Sequence, residues 1–291
     1  MKYFVFLSSL AIAMCSSMVS AQDAATEFTY SKTPVKGAIT MLHGAGGNIG
    51  VLQGDEGLLV IDDGFARNSS ALTTALDSFG AKTQYVLNTH WHGDHTGANA
   101  ALGSATIMAH ENVRVRLAKG ATFGSRVIEP AGPEALPDIT YTEGTNLYFA
   151  GQTVAAVHLP DGHTDGDTVV FFSPANVVHM GDMMFAGRFP FIDPSSGGSV
   201  EGYIKNVGAI IEKIDSDTIV IPGHGDITDL KGLMTFHDMM KDTRAAVAKM
   251  KADGKTLEQA QETGLDEKWQ GWSWGFIDEK RWIAILWEGT N

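Results

Sequence analysis

The chain has 291 residues and a formal net charge of −13, enough for one large domain or two small ones and without the basic footprint that nucleic-acid binding requires. Its 44% hydrophobic content fits a soluble globular protein acting on a small or uncharged substrate. The single cysteine, Cys15, falls inside an amino-terminal leader, so the rest of the chain has no thiol for a disulfide, a nucleophile or a metal.

Lys2 precedes an apolar run from Phe4 to Met14, and Val19-Ser20-Ala21 supplies small residues for cleavage. Residues 1–21 therefore read as a secretory signal peptide cut after Ala21, which predicts a secreted or periplasmic protein. The run is too short to span a bilayer and no later stretch is long enough, so no stable membrane association is expected. Met14 is not the small residue that lipidation of Cys15 would want. Residues 22–36 are polar and are expected to be flexible, leaving 37–291 as the folded domain.

Ala38 to Leu42 reads as a strand, and the glycine-rich run from His43 to Asn48 as a hairpin tip or flap. That run lacks the Gly-Lys-Ser/Thr of a phosphate loop, and His43 reads as structural or supporting. Ile49 to Gln53 and Leu58 to Asp62 are paired strands about the turn at Asp55. Asp62, Asp63 and Gly64 end the second of these strands, and a carboxylate there is either a turn or helix-capping residue or one standing behind a metal-bound histidine. Leu72, Ala75, Leu76 and Phe79 share one face of a helix that Gly80 stops.

A strand from Gln84 to Asn88 then runs into Thr89-His90-Trp91-His92-Gly93-Asp94-His95. His90 and His92 leave extended backbone on the same side, and Gly93 lets the chain turn to bring up Asp94 and His95. Imidazole and carboxylate suit a borderline divalent cation such as zinc. A packed domain has no structural use for so much desolvated polarity without a cation to compensate it.

Ala105 to Ala109 is a further strand, and a helix runs from His110 and Glu111 to Leu117. Residues 120–138 read as a long connection edging a cleft. Leu147 to Ala150 and Val154 to His158 form a hairpin about Gly151, with His158 structural, and His163 follows at a strand-to-strand turn. In the same turn Asp167 is a supporting carboxylate or a turn residue. Strands from Thr168 to Phe172 and Val177 to Met180 lead to Gly181-Asp182. In the loop from Met183 to Gly198, Arg188, Phe189 and Phe191 either line a substrate site or pack. An amphipathic helix from Val200 to Ile214 and a buried strand from Thr218 to Ile221 lead to Pro222-Gly223-His224-Gly225. From Leu230 the chain is largely helical, and its segment from Trp269 to Trp287 is expected to dock as core. The order, strands then helix twice over, suggests two similar layered halves meeting near 120–140.

His90, His92, Asp94, His95, His163, Asp182 and His224 thus stand as candidate metal ligands at strand ends. With the motifs His90-Trp91-His92-Gly93-Asp94-His95, Gly162-His163-Thr164, Gly181-Asp182 and Pro222-Gly223-His224-Gly225, the chain resembles the metallo-β-lactamase superfamily from about Ala38 to Lys241. The resemblance implies an α+β fold, a four-layer αβ/βα sandwich with two metals at one edge between the sheets. It implies two Zn²⁺, with iron or manganese as alternatives: His90, His92 and His163 on one, Asp94, His95 and His224 on the other, Asp182 bridging. The spacing also resembles the secreted B1 branch of β-lactamases. That branch carries a cysteine where this chain has Asp182, whereas aspartate is usual in the glyoxalase II, lactonase and ribonuclease Z branches. The implied activity is hydrolysis of a cyclic amide or ester by metal-bound hydroxide, with Asp94 orienting the nucleophile or moving its proton. A thioesterase or lactonase is the alternative, and an iron-dependent redox member a more distant one. The sequence leaves the oligomeric state open.

Overall fold

The computed structural model describes residues 28–123 and 126–289, so the expected signal peptide lies outside the described residues. The first half contains β1 (Ser31–Lys36), β2 (Ile39–His43), β3 (Ile49–Gly54), β4 (Gly57–Ile61), α1 (Ser69–Asp77), β5 (Thr83–Leu87), β6 (Thr106–His110), α2 (Glu111–Lys119), a small hairpin of β7 (Ala121–Phe123) and β8 (Arg126–Ile128), and β9 (Ile139–Tyr141). The second contains β10 (Gly144–Phe149), β11 (Gln152–His158), β12 (Thr168–Ser173), β13 (Val177–His179), α3 (Val200–Ile211), β14 (Ile219–Ile221), β15 (Thr228–Asp229), α4 (Leu230–Ala252), α5 (Leu257–Thr263), α6 (Glu267–Gln270) and α7 (Glu279–Glu288).

Two sheets form, ordered β1-β2-β3-β4-β5-β6-β9 and β10-β11-β12-β13-β14-β15. In the first, β1 to β4 are antiparallel and β4, β5, β6 and β9 run parallel. In the second, β13 and β14 are the parallel pair. Strand β4 explains the layering. Its residues are all buried, because both faces of the sheet are covered. Leu58 and Val60 point outward onto Leu72 and Leu76 of α1. Leu59 and Ile61 point inward, where Met41, Leu87 and Met108 meet Val154, Val170, Phe172 and Ile221 of the other sheet. Outside the second sheet, Tyr203 and Val207 of α3, Phe236 and Met240 of α4 and Trp282 of α7 make another apolar layer. The result is the expected α+β sandwich of helix, sheet, sheet and helix.

Two expectations are corrected. Residues 31–36, read as part of a flexible segment, form the edge strand β1, paired with β2 from Ser31 opposite His43 to Lys36 opposite Ile39. Its side chains are mostly exposed, so no apolar alternation marked it; the backbone ladder holds it. The connection at 120–138 is not featureless, since β7 and β8 pair within it. Strands of three residues are too short to show a period.

The parallel strands deliver the site. β4, β5, β13 and β14 end toward the same edge of the sandwich, leading into Asp62, the His90–His95 loop, Asp182 and His224 respectively. His163 arrives there from the turn between β11 and β12.

Candidate metal centre

All seven predicted side chains converge, in two groups. His90, His92, His163 and Asp182 present donor atoms within 4.8 Å of one another, and so do Asp94, His95 and His224. His90 Nε2 lies 3.1 Å, and His163 Nε2 2.8 Å, from His92 Nδ1. Asp182 Oδ2 is 3.4 Å from His163 Nε2 and 3.8 Å from His90 Nε2. Its other oxygen, Oδ1, is 3.1 Å from His95 Nε2 and 3.3 Å from His224 Nε2. Asp94 Oδ2 stands 3.5 Å from His224 Nε2 and 3.7 Å from His95 Nε2. The two oxygens of one buried carboxylate therefore divide between two nests of imidazole.

The outer hydrogen bonds fix which ring nitrogen is bare. His163 Nδ1 lies 2.8 Å from the carbonyl of Phe191, which can only accept, so the proton sits on Nδ1 and Nε2 is a lone pair. His92 Nε2 faces Asp193 Oδ2 at 3.1 Å, which leaves Nδ1 bare. Thr89 Oγ1 donates to Asp62 and lies 3.1 Å from His90 Nδ1, so it accepts there and leaves His90 Nε2 bare. Burial pushes His163 down to about 4 and His90 well below its usual range, so neither carries a charge near neutrality. Three bare nitrogens facing one another at about hydrogen-bond distance have no proton to share. A cation between them removes the conflict.

The second group points the same way. His95 Nε2 and Asp182 Oδ1 are buried and neither makes a hydrogen bond. Such orphaned atoms are costly in a native interior unless something coordinates them. Burial opposes charge on His95, but the carboxylates of Asp182, Asp94 and Asp62 outweigh it and raise its pKa well above normal. Burial likewise opposes charge on Asp182, and His95 and His224 overcome it and hold its carboxyl well below the usual range. The same carboxylates that favour positive charge on His95 favour a cation at this group.

Supporting residues hold the donors. Asp62, expected as a turn residue or a carboxylate behind a histidine, is the latter: fully buried, it accepts from His95 Nδ1 at 2.7 Å, from Thr89 Oγ1 at 2.8 Å and from the Thr89 amide at 2.7 Å. Asp167 closes the turn after His163 by accepting from the amide and hydroxyl of Thr164, and burial raises it to about 8. His43, read as supporting, lies 2.8 Å from Asn48 Oδ1. His110 and His158 stack on each other with centroids 3.8 Å apart, away from the metal nests.

Sequence reading missed Asp193 and Asn48. Asp193 orients His92 and is itself held by Ser195 and Ser196; these bonds and His92 overcome burial and depress its pKa. An Asp-Pro-Ser turn was the one local signal. Asn48 donates through its side chain to the carbonyls of Pro222 and Gly225, and its amide donates to Gly223, so the glycine-rich turn clamps the loop that carries His224. Nothing local signalled a contact across 174 residues. Glycine is required at two close approaches: a Cβ on Gly47 would lie 2.2 Å from His95 Cε1, and one on Gly223 2.2 Å from Asp182 Oδ1.

With this geometry in view, the comparisons carry weight. The sequence profile of the metallo-beta-lactamase superfamily matches residues 44–224, which take in all seven converging residues. The chain belongs to the metallo-β-lactamase superfamily. Among superfamily members, it is 25% identical over 162 residues to a metallo-beta-lactamase type 2 of Bacteroides fragilis, covering 55% of this chain and 61% of that one. It is 29% identical over 168 residues to a hydroxyacylglutathione hydrolase of Rhodospirillum rubrum, covering 57% and 56%. The matches thus span little more than half the length of these relatives. The metallo-beta-lactamase from Pontibacter korlensis shares the fold, with a TM-score of 0.62 at 16% identity over 74% of this chain and all of that one.

Proposed function

We propose that the protein is a secreted dinuclear zinc hydrolase that opens a cyclic amide or ester, with β-lactams the foremost substrates. The observation that carries this reading is the division of Asp182, Oδ1 toward His95 and His224, Oδ2 toward His90 and His163. His90, His92 and His163 would hold one cation, Asp94, His95 and His224 the other, with Asp182 between. All donors are nitrogen or oxygen, which suits zinc and also admits iron or manganese. Bound there, a cation pair supplies Lewis acidity and lowers the pKa of water from about 15.7 to about 7.

The chain's own residues do the rest. Asp94 is the most exposed of the seven, 23% accessible, so it faces the substrate side. It orients the attacking water and carries its proton to the leaving group. Asp62, Asp193 and the Phe191 carbonyl hold three imidazoles in the tautomers that keep their lone pairs aimed inward. The acidic surface favours a small molecule over nucleic acid.

A thioesterase or lactonase is the second reading. It is favoured by Asp182, which stands where the B1 branch has cysteine, and by the similarity to a hydroxyacylglutathione hydrolase. Natively purified protein, quantified for metal, is tested on nitrocefin, a thioester and a lactone. The expected result is two zinc equivalents per chain and turnover led by nitrocefin. Preference for the thioester or lactone moves the assignment to the second reading. Fully metallated protein that turns over none of the three refutes both. Amino-terminal sequencing of exported protein is expected to start at Gln22 if the leader is cut after Ala21.

A further inference from the structure

Trp91 stands between His90 and His92 in the sequence, but its ring packs into a small apolar cluster with Ala109 of β6 and Val113 of α2. Leu117, Ala121 and Ile128 lie at the margin of that cluster. Such packing accounts for a large ring, 3% exposed, and not for its polar atom. An indole N–H can only donate, and burying it without an acceptor is costly. Trp91 Nε1 donates to Ser196 Oγ at 3.1 Å, across 105 residues of chain.

That bond sets the direction of the ones that follow. Ser196 Oγ accepts from Trp91, so its single proton is free to go to Asp193 Oδ2, 2.5 Å away. Burial opposes charge on Asp193, but His92, Ser195 and Ser196 outweigh it, so the carboxyl stays ionised and only accepts. The same Oδ2 faces His92 Nε2 at 3.1 Å and draws the ring proton there, leaving Nδ1 bare toward His90 and His163. His92 needs this control more than its neighbours do. It is the most exposed of the five metal-facing imidazoles, 14% accessible, so packing fixes its ring least.

Ser196 is also where a second branch arrives. Its carbonyl accepts from the Asp165 amide at 2.8 Å. Asp165 is held by α2, through both arms of Arg116 at 2.8 and 2.6 Å and through Asn112 at 2.9 Å. The Asp193 amide in turn donates to the carbonyl of His163 at 3.0 Å. One buried serine thus ties the histidine loop, the turn that carries His163 and the carboxylate that faces His92.

We propose that Trp91 and Ser196 are positioning residues for the His90–His92–His163 group: the indole N–H orients the Ser196 hydroxyl, which holds Asp193 where it keeps the proton of His92 on Nε2. The inference rests on the two-nest metal reading for its effect on affinity, whereas the tautomer of His92 is fixed with or without a metal.

The test has two readouts. In metal-free protein, well above the ordinary histidine pKa of about 6.5, nitrogen NMR reads which ring nitrogen of His92 carries the proton. Wild type is expected to show Nε2–H, and Ser196→Ala a mixture of both tautomers. Zinc affinities are then read by chelator competition, with His163→Ala marking which of the two belongs to this group. Trp91→Phe is expected to lower that affinity about 3- to 10-fold, as loss of one neutral hydrogen bond does. Ser196→Ala is expected to lower it about 10-fold or more, and neither variant to change the other group. Because Trp91 acts through Ser196, the Trp91→Phe/Ser196→Ala double variant should match Ser196→Ala within about 2-fold. Benzothienylalanine at position 91, which keeps the ring volume and lacks the N–H, should reproduce Trp91→Phe and separates the hydrogen bond from packing. Full additivity in the double variant, or wild-type affinity with benzothienylalanine, means that Trp91 only packs and overturns the proposal. So does a wild-type tautomer in Ser196→Ala, or equal weakening of both groups. If the tautomer responds as expected while the wild type binds no zinc, the metal reading fails and the positioning chain stands.

Discussion

Replacing Asp62 by asparagine isolates the part of the site that works through a histidine rather than on a cation. Asp62 Oδ1 accepts the Thr89 amide at 2.7 Å, and Oδ2 accepts both Thr89 Oγ1 at 2.8 Å and His95 Nδ1 at 2.7 Å. In Asp62→Asn the carboxamide oxygen keeps the amide, and the threonine hydroxyl can rotate to accept from the new NH₂. His95 cannot adapt so easily, because its N–H then opposes another N–H. Moving the proton to Nε2 relieves that clash but blocks the lone pair that faces Asp182. The loss is one charge-assisted hydrogen bond, about 1.5–3 kcal/mol. That corresponds to a drop of about 10- to 100-fold in affinity at the Asp94–His95–His224 group, in line with other outer hydrogen-bond partners of metal ligands. The assay is competition with a chromophoric chelator, which reads the two affinities separately, with circular dichroism to show that the fold persists. A folded Asp62→Asn variant that holds both metals with wild-type affinity refutes the argument that tautomer control sets the second group.

Other outcomes are expected from the same geometry. His163→Ala should empty mainly the group that contains His90 and His92, and His224→Ala mainly the other, as read by metal quantification; either variant keeping two tightly bound metals breaks the division. Gly223→Ala places a methyl 2.2 Å from Asp182 Oδ1, so it should displace the shared carboxylate and lower the affinity of both groups at once. Asn48→Ala leaves two buried carbonyls, of Pro222 and Gly225, without their donor, so thermal stability should fall by about 1–3 kcal/mol per unmet group. Asp167 bears on pH. Burial raises its folded pKa to about 8, against 3.8 for the exposed side chain. Between those values the folded metal-free chain keeps a proton that the unfolded chain has released. Its contribution is therefore full below about pH 4 and declines as pH rises toward about 8. Denaturant titrations of the metal-free protein should show that decline, and Asp167→Asn should flatten it.

The contiguous stretch from His90 to His95 was legible without any structure, because its chemistry is local: backbone alternation and one glycine bring three imidazoles and a carboxylate to a single turn. His163, Asp182 and His224 were legible as polar residues at strand ends or turns, whereas the four-layer sandwich was legible only through the resemblance that the motifs carry; that β4 is buried on both faces is a result of the fold. What the sequence left open has one physical cause. Asp193 meets His92 across 101 residues, and Asn48 meets Pro222 across 174, and neither neighbour leaves a mark on the local pattern of the other. Edge strand β1 is held by a backbone ladder that any side chains permit, so its composition read as a frayed segment. The choice between turn residue and supporting carboxylate at Asp62 also waited on the fold, since only the packing of β4 beside β5 brings it under His95. Local periodicity and donor chemistry determined which residues were able to bind metal. Tertiary packing decided which nitrogen of each ring stays bare, and that Trp274, far along the chain from the histidine loop, lies beside His224.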